Sequence, residues 1–198
     1  MTTEPFDPYD DEGNLRRAQQ EAMADLIELN LQRVLKNRPP VFDRPGTLNT
    51  EIADWCEQIR AKTAGPLVIV GGTGSGKTWS LWKAAETLAR AGWRRRFTII
   101  DAYELREAIA PPVDDDLLDR WKRADVLAID DLGAQRVTDW VLDKLHPIID
   151  YRWKHGMPTA VTTNITDIRA ALDERIASRL SQGALVVQFT DTDHRRTS

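Results

Sequence analysis

The sequence predicts an α/β fold, a three-layer domain in which helices cover both faces of a parallel five-stranded sheet, and two observations lead there. Short β-branched runs recur at 67–70, 97–100, 126–129, 160–163 and 185–189. The stretches between them are long enough for crossover helices, and strands that alternate with helices pair in parallel. The second observation is Gly71-Gly72-Thr73-Gly74-Ser75-Gly76-Lys77-Thr78, a glycine-rich turn that follows the first run and opens a helix. A chain of 198 residues has room for one such domain and a short appendage.

The appendage comes first. Residues 1–13 are acidic and carry Pro5, Pro8 and Gly13, the composition of a disordered tail. From Asn14, Leu15, Ala18, Ala22, Leu26, Leu29 and Arg33 recur at three- and four-residue spacing until Pro39-Pro40 stops the helix near Asn37. Residues 14–40 are therefore a helical arm, which either packs on the following domain or docks into a partner's groove. Thr47 is placed to cap a second helix bearing Ile52, Trp55 and Ile59 on one side. The main domain runs over 41–198.

Composition removes several functional classes. With 41% hydrophobic and 29% charged residues, the chain has material for a core and charge for solubility, which excludes global disorder. No apolar run approaches the roughly 18 residues of a membrane helix. The first twelve residues hold five acids and no base where a secretory signal needs a positive segment. A cytoplasmic protein without a membrane partner is expected. One cysteine, Cys56, and three scattered histidines make neither an internal disulfide nor a zinc cluster. Any metal is expected to be held by oxygen. A net charge of -4 leaves room only for local basic patches, of which Arg94-Arg95-Arg96 and Arg195-Arg196 are the densest.

The glycine-rich turn fits GxxxxGK[ST] in the strand-to-helix context that a P-loop requires. Its glycines let successive backbone N–H groups face the phosphates of ATP, and the helix starting near Lys77 adds the positive end of its dipole. Lys77 is expected to reach the β and γ phosphates, with the Thr78 hydroxyl on Mg²⁺. The third run ends in Asp130-Asp131, two carboxylates at the carboxyl end of a buried strand, where open α/β sheets bind ligands. Asp130 is expected to hold Mg²⁺ through water and Asp131 to polarise the attacking water. Asn164 ends the fourth run, placed either to align that water or simply to form a turn. Arg175 and Arg179 stand four apart on one helix face, as a surface pair would too.

Together these residues resemble a known family. The P-loop, Ile129-Asp130-Asp131-Leu132-Gly133, Ile149-Asp150-Tyr151-Arg152-Trp153, Thr162-Thr163-Asn164 and Ser178-Arg179-Leu180 follow one another as in the AAA+ ATPases that load bacterial replicative helicases, the DnaC type. Transposition helper ATPases of the IstB type share much of the set. The resemblance spans about residues 41–198. It implies that Asn164 is the sensor I residue, that Arg179 is an arginine finger reaching a neighbouring subunit's ATP, and that one of Arg195 and Arg196 lies in the sensor II region. It also implies that segments 103–110 and 114–123 form the helical insertion of the loader branch, which makes Arg120, Lys122 and Arg123 candidates for contact with single-stranded DNA. The chain stops at Ser198, so a domain without the usual C-terminal lid is expected.

The reading is an ATPase that loads a replicative helicase, with ATP and Mg²⁺ as ligands and with single-stranded DNA, the helicase and further copies of itself as partners. A transposase-regulating ATPase is the nearest alternative and is expected to prefer duplex DNA. A small P-loop kinase is a different class. It is disfavoured because no lid with several arginines follows the helix at 79–91, and the paired aspartates suit water activation better. A nucleotide-dependent adaptor that never hydrolyses ATP is a third class, opposed by the presence of Lys77, Asp130 and Asp131 together.

Overall fold

The five apolar runs become five strands in the computed structural model, which describes residues 11–133, 138–164 and 173–189. They are β1 (Leu67–Val70), β2 (Phe97–Asp101), β3 (Val126–Asp130), β4 (Thr159–Thr163) and β5 (Leu185–Gln188). All pairings are parallel, in the order β2-β3-β4-β1-β5, with Val70 opposite Thr163 and Ile129 opposite Val161. This order puts β1 between β4 and β5, so the turn after β1 opens inside the sheet and not at an edge.

Seven helices complete the layers among the described residues: α1 (Asp11–Asn37), α2 (Thr50–Ala61), α3 (Lys77–Arg90), α4 (Ala102–Ile109), α5 (Asp115–Lys122), α6 (Asp139–Lys154) and α7 (Glu174–Ser181). Strand side chains alternate between faces. Leu127, Ile129 and Val161 meet residues of α4 to α7, while Val126, Ala128 and Ala160 meet α2 and α3. Both faces of the inner strands β1, β3 and β4 are thus dry, which is why they are apolar or hydroxyl-bearing almost throughout. Burial pushes the Cys56 thiol in α2 up to about 12, leaving it a core residue without reactivity.

Three local expectations are corrected. The cap of α2 is Asn49, whose side chain accepts from the Glu51 and Ile52 amides at 2.8 and 3.3 Å, and Thr47 lies two residues too early. Helix α1 begins at Asp11, so 11–13 of the expected tail are helical, and 1–10 lie outside the described residues. The arm also packs by a different face. Leu31 and Val34 are buried against Ala85 and Ala89 of α3 and Asn30 donates to the Trp93 carbonyl, whereas Leu15, Leu26 and Leu29 of the expected stripe are exposed. Only the last two turns of α1 are held this way. Arg38, just beyond them, bonds Glu86 of α3 at 2.9 Å, and burial, which would raise the Glu86 carboxyl, is outweighed by Arg90, Lys83 and Arg38, which hold it below its usual value.

At the amino edge of the sheet a buried arginine ties elements together. Arg152 of α6 donates to Thr159 Oγ1 and to the carbonyls of Trp121, Lys122, Ala124 and Pro158, at 2.6 to 3.3 Å. It is fully buried, and burial pulls its guanidinium down to about 10. Five bonds to loop groups before β3 and β4 offset that desolvation.

Candidate functional site

An open cleft of about 900 Å³ runs from the carboxyl ends of β1, β3 and β4 along the free edge of β2 to Arg96. Thr73 to Thr78, Asp130, Asp131 and Asn164 line one end. The arm's Arg33, Val34 and Asn37 and the aromatic Trp79 and Trp82 of α3 line the other. The sheet order therefore gathers at one edge the residues that the sequence places up to 91 positions apart.

The turn after β1 is shaped for close backbone approach. A Cβ at Gly71 would lie 2.8 Å from Ser75 Oγ and 2.9 Å from Phe189 Cβ, so no side chain fits there. Gly76 has φ of 97°, a left-handed conformation that favours glycine, and it starts α3 without a side-chain cap. The first-turn amides of α3 are left to an outside acceptor. Ser75 Oγ is buried and has no hydrogen-bond partner among the described residues. Lys77 donates to the Gly71 and Gly72 carbonyls, both at 2.8 Å, which keeps its ammonium over the turn. An uncapped helix start, an orphaned hydroxyl and a lysine at one spot suit the phosphates of a nucleotide.

The acidic half is a knot around Asp130. Thr78 Oγ1 donates to Asp130 Oδ2 at 2.7 Å, and Thr162 Oγ1 donates to Asp130 Oδ1 at 2.5 Å. The same Thr162 hydroxyl accepts from the Asp131 amide at 2.8 Å, and the Thr162 carbonyl accepts from Leu132 N at 2.8 Å. Burial pushes the Asp130 carboxyl up; the two hydroxyls and Lys77 pull against burial, and Asp131 adds to it. A hydroxyl and a carboxylate oxygen side by side are the hard donors that Mg²⁺ accepts. Asp131 has φ of 56°, a left-handed bend that turns the chain sharply out of β3 and leaves its carboxylate exposed at the cleft. Asn164 stands exposed at the end of β4 on the same wall.

Thr162 is the site residue that reading the sequence passed over, since only its neighbour Asn164 received a role. The signal was present. A hydroxyl in the middle of a strand buried on both faces must find a partner, and Asp130 on the adjacent strand is in reach.

Other expected residues lie elsewhere. Arg179 of α7 is outside the cleft. It bonds Asp150 at 2.6 Å through Nε, donates to the Arg175 carbonyl at 3.1 Å, and lies 5.2 Å over the Trp153 ring. Lys154 first, and Arg179 with it, hold the Asp150 carboxyl below its ordinary value against the opposing effect of burial. Arg120, Lys122 and Arg123 stand at the end of α5, by the amino edge of β3, on the side away from the P-loop. Lys122 Nζ lies 4.8 Å over the Tyr151 ring, and Arg123 pairs with Asp119 at 2.8 Å. Arg195 and Arg196 fall outside the described residues. Among the described residues no helix is long and apolar enough to cross a membrane.

Comparison with known proteins accords with this geometry. The chain is 31% identical over 138 residues to the phage-like element PBSX protein XkdC of Bacillus subtilis, covering 65% of this chain and 51% of that one. It is 27% identical over 103 residues to the replicative helicase loader DnaI of the same organism, covering 50% of this chain and 33% of that one. It therefore spans about half or less of the length of these curated relatives. Among solved structures, the crystal structure of DnaI has the same fold at a TM-score of 0.63 and 24% identity, over 86% of this chain and 93% of that one. Residues 45–175 match the family described as IstB-like ATP binding protein. With the P-loop, the acidic pair and strands β1 to β4 inside that span, the chain belongs to the IstB-like ATP binding proteins, AAA+ P-loop NTPases of the DnaC and IstB kind.

Proposed function

We propose that this chain is an ATP-dependent loader of a replicative DNA helicase, in which ATP binding orders copies of the chain on single-stranded DNA and hydrolysis releases them. The observation that carries the proposal is the likeness to a helicase loader in both sequence and fold, over half and 86% of the chain respectively. The cleft supports the ATPase part. The first-turn amides of α3 and Lys77 receive the phosphates, and the Ser75 hydroxyl gains a partner there. Thr78 and Asp130 would hold magnesium, which would supply positive charge to offset that of the bound phosphates. Asp131, exposed at the cleft and fixed through its amide to Thr162, takes the proton of the attacking water, and Asn164 orients that water. Arg179, held outside its own cleft, serves a neighbouring copy's ATP. Arg195 or Arg196 contacts the nucleotide from beyond β5, and Arg120, Lys122 and Arg123 hold the DNA.

The unpacked stripe of the arm, Leu15, Leu26 and Leu29, is the helicase contact in this reading. Capture of a purified hexameric replicative helicase by the tagged chain tests it. The wild type retains the helicase in ATP, and replacement of the three leucines by serine abolishes retention without changing the melting temperature. Equal retention by both proteins refutes the docking role of the arm. The match to the IstB-like family favours a second reading, a helper of a DNA transposase. That reading gains if the chain prefers duplex DNA and captures a transposase in place of the helicase.

A further inference from the structure

Two basic runs far apart in the sequence meet in the fold. Arg94, Arg95 and Arg96 precede β2, Arg120, Lys122 and Arg123 precede β3, and these strands are neighbours at the edge of the sheet. The junction is direct. Asp125 accepts from the Arg96 amide at 3.1 Å and pairs with Arg95 at 3.5 Å, while the Val126 amide donates to the Arg96 carbonyl at 3.2 Å. Arg123 is only two residues before Asp125. The cations then diverge: Arg95 lies 5.8 Å from the centre of the Trp93 ring, in the layer of α2 and α3, and Lys122 and Arg123 lie over Tyr151 of α6, in the opposite layer.

We infer that the Arg94-Arg95-Arg96 turn and the Arg120 to Arg123 turn form one continuous phosphate-binding stripe for single-stranded DNA, wrapped around the amino edge of the sheet. This rests on the proposed DNA contact at Arg120, Lys122 and Arg123 and extends it to a second segment. Charge is the first argument. Among the described residues the six cations form ion pairs only with Asp119 and Asp125, the acids Asp114, Asp115 and Asp116 standing at the opposite end of α5, and the guanidinium groups of Arg94, Arg96 and Arg120 make no ion pair. In a chain of net charge -4, this excess is local. Shape is the second argument. A stripe that bends from one layer to the other suits a flexible single strand, whereas a duplex with a persistence length of about 150 base pairs touches it on one side only. The mode of contact follows from the rings: Trp93 and Tyr151 already have cations over them, so the stripe grips backbone phosphates and does not stack bases. Arg96 lines the cleft at the end opposite the P-loop, so DNA phosphates there and ATP phosphates at Lys77 do not share a cation.

The test is binding of the full chain to a fluorescent oligothymidylate across a salt series. Arg94→Ala with Arg96→Ala is expected to weaken binding by roughly tenfold or more at low salt and to reduce the salt slope by about 1.4, two phosphate contacts at about 0.7 each. Arg94→Lys with Arg96→Lys is expected to restore most of both, because charge is what counts. Unchanged melting temperatures show that these exposed sites leave the fold intact. If Arg120→Ala with Arg123→Ala weakens binding while Arg94→Ala with Arg96→Ala does not, the extended stripe is overturned and the smaller DNA contact stands. If the wild type prefers duplex to oligothymidylate, or binds neither, the stripe is overturned together with the single-strand reading.

Discussion

Replacing Thr162 with valine keeps the volume of the side chain and removes one hydroxyl from the centre of the acidic knot. That hydroxyl donates to Asp130 at 2.5 Å and accepts from the Asp131 amide at 2.8 Å. A bond to a charged group contributes about 1.5–3 kcal/mol, and a buried amide left unpaired costs about 1–3 kcal/mol. Partial relaxation brings the expected destabilisation to about 2–4 kcal/mol, measurable by urea unfolding. Its pH dependence identifies the cause. Burial raises the Asp130 carboxyl, and the Thr162 bond is one of the groups pulling it back. Holding Asp130 ionised costs stability above its raised folded value, and the cost disappears once the carboxyl is protonated. The variant loses a bond to the ionised form, so its deficit is largest at neutral pH and shrinks as the pH falls through that range. Activity follows from the second bond. A loosened Asp131 misplaces the proton acceptor, and a displacement of about 1 Å costs on the order of a hundredfold in turnover. Thr162→Ser keeps the hydroxyl and should recover both properties. A valine variant with wild-type turnover and a pH-independent stability would refute the positioning role.

Lys77→Ala should lose nucleotide binding, whereas Asp131→Asn should bind nucleotide and fail to hydrolyse it; fluorescent-nucleotide titration and phosphate release separate the two. Arg179→Ala should bind ATP as a monomer yet lose about 10³-fold in hydrolysis under assembling conditions. Mixed with the inactive Lys77→Ala chain it should regain activity as protein concentration rises, and wild-type hydrolysis by Arg179→Ala alone would make the arginine a surface charge. Arg152→Met should cost about 3–5 kcal/mol in urea unfolding, because four loop carbonyls and Thr159 Oγ1 lose their donor. Arg152→Lys should rescue little of it, since an ammonium has three donors on one point and cannot span five acceptors.

The strands and the P-loop are legible in the sequence because both are local signals: a run buried on two faces is apolar at every position, and the turn's glycines follow one another. What depends on a distant partner is not legible. The arm carries two apolar stripes, Leu15, Leu26 and Leu29 on one side and Leu31 and Val34 on another, and only contact with Ala85 and Ala89 selects the second. Arg152 looks like any helical surface arginine until the loops before β3 and β4 bring four carbonyls around it. Thr47 and Asn49 both carry a capping oxygen, and the choice between them follows from where α2 must start for Ile52, Trp55 and Ile59 to reach the sheet. The two basic runs are separated by the 23 residues from Phe97 to Asp119, and nothing short of the β2 to β3 pairing joins them.

The central claim, that ATP on this chain drives a replicative helicase onto DNA, is tested most directly by following helicase deposition on closed-circular single-stranded DNA. Wild-type chain with ATP is expected to raise the amount of circle-bound helicase well above that of helicase alone, while Lys77→Ala leaves it at the helicase-alone amount. Deposition that is the same with wild-type chain, with Lys77→Ala and with no chain at all would contradict the account.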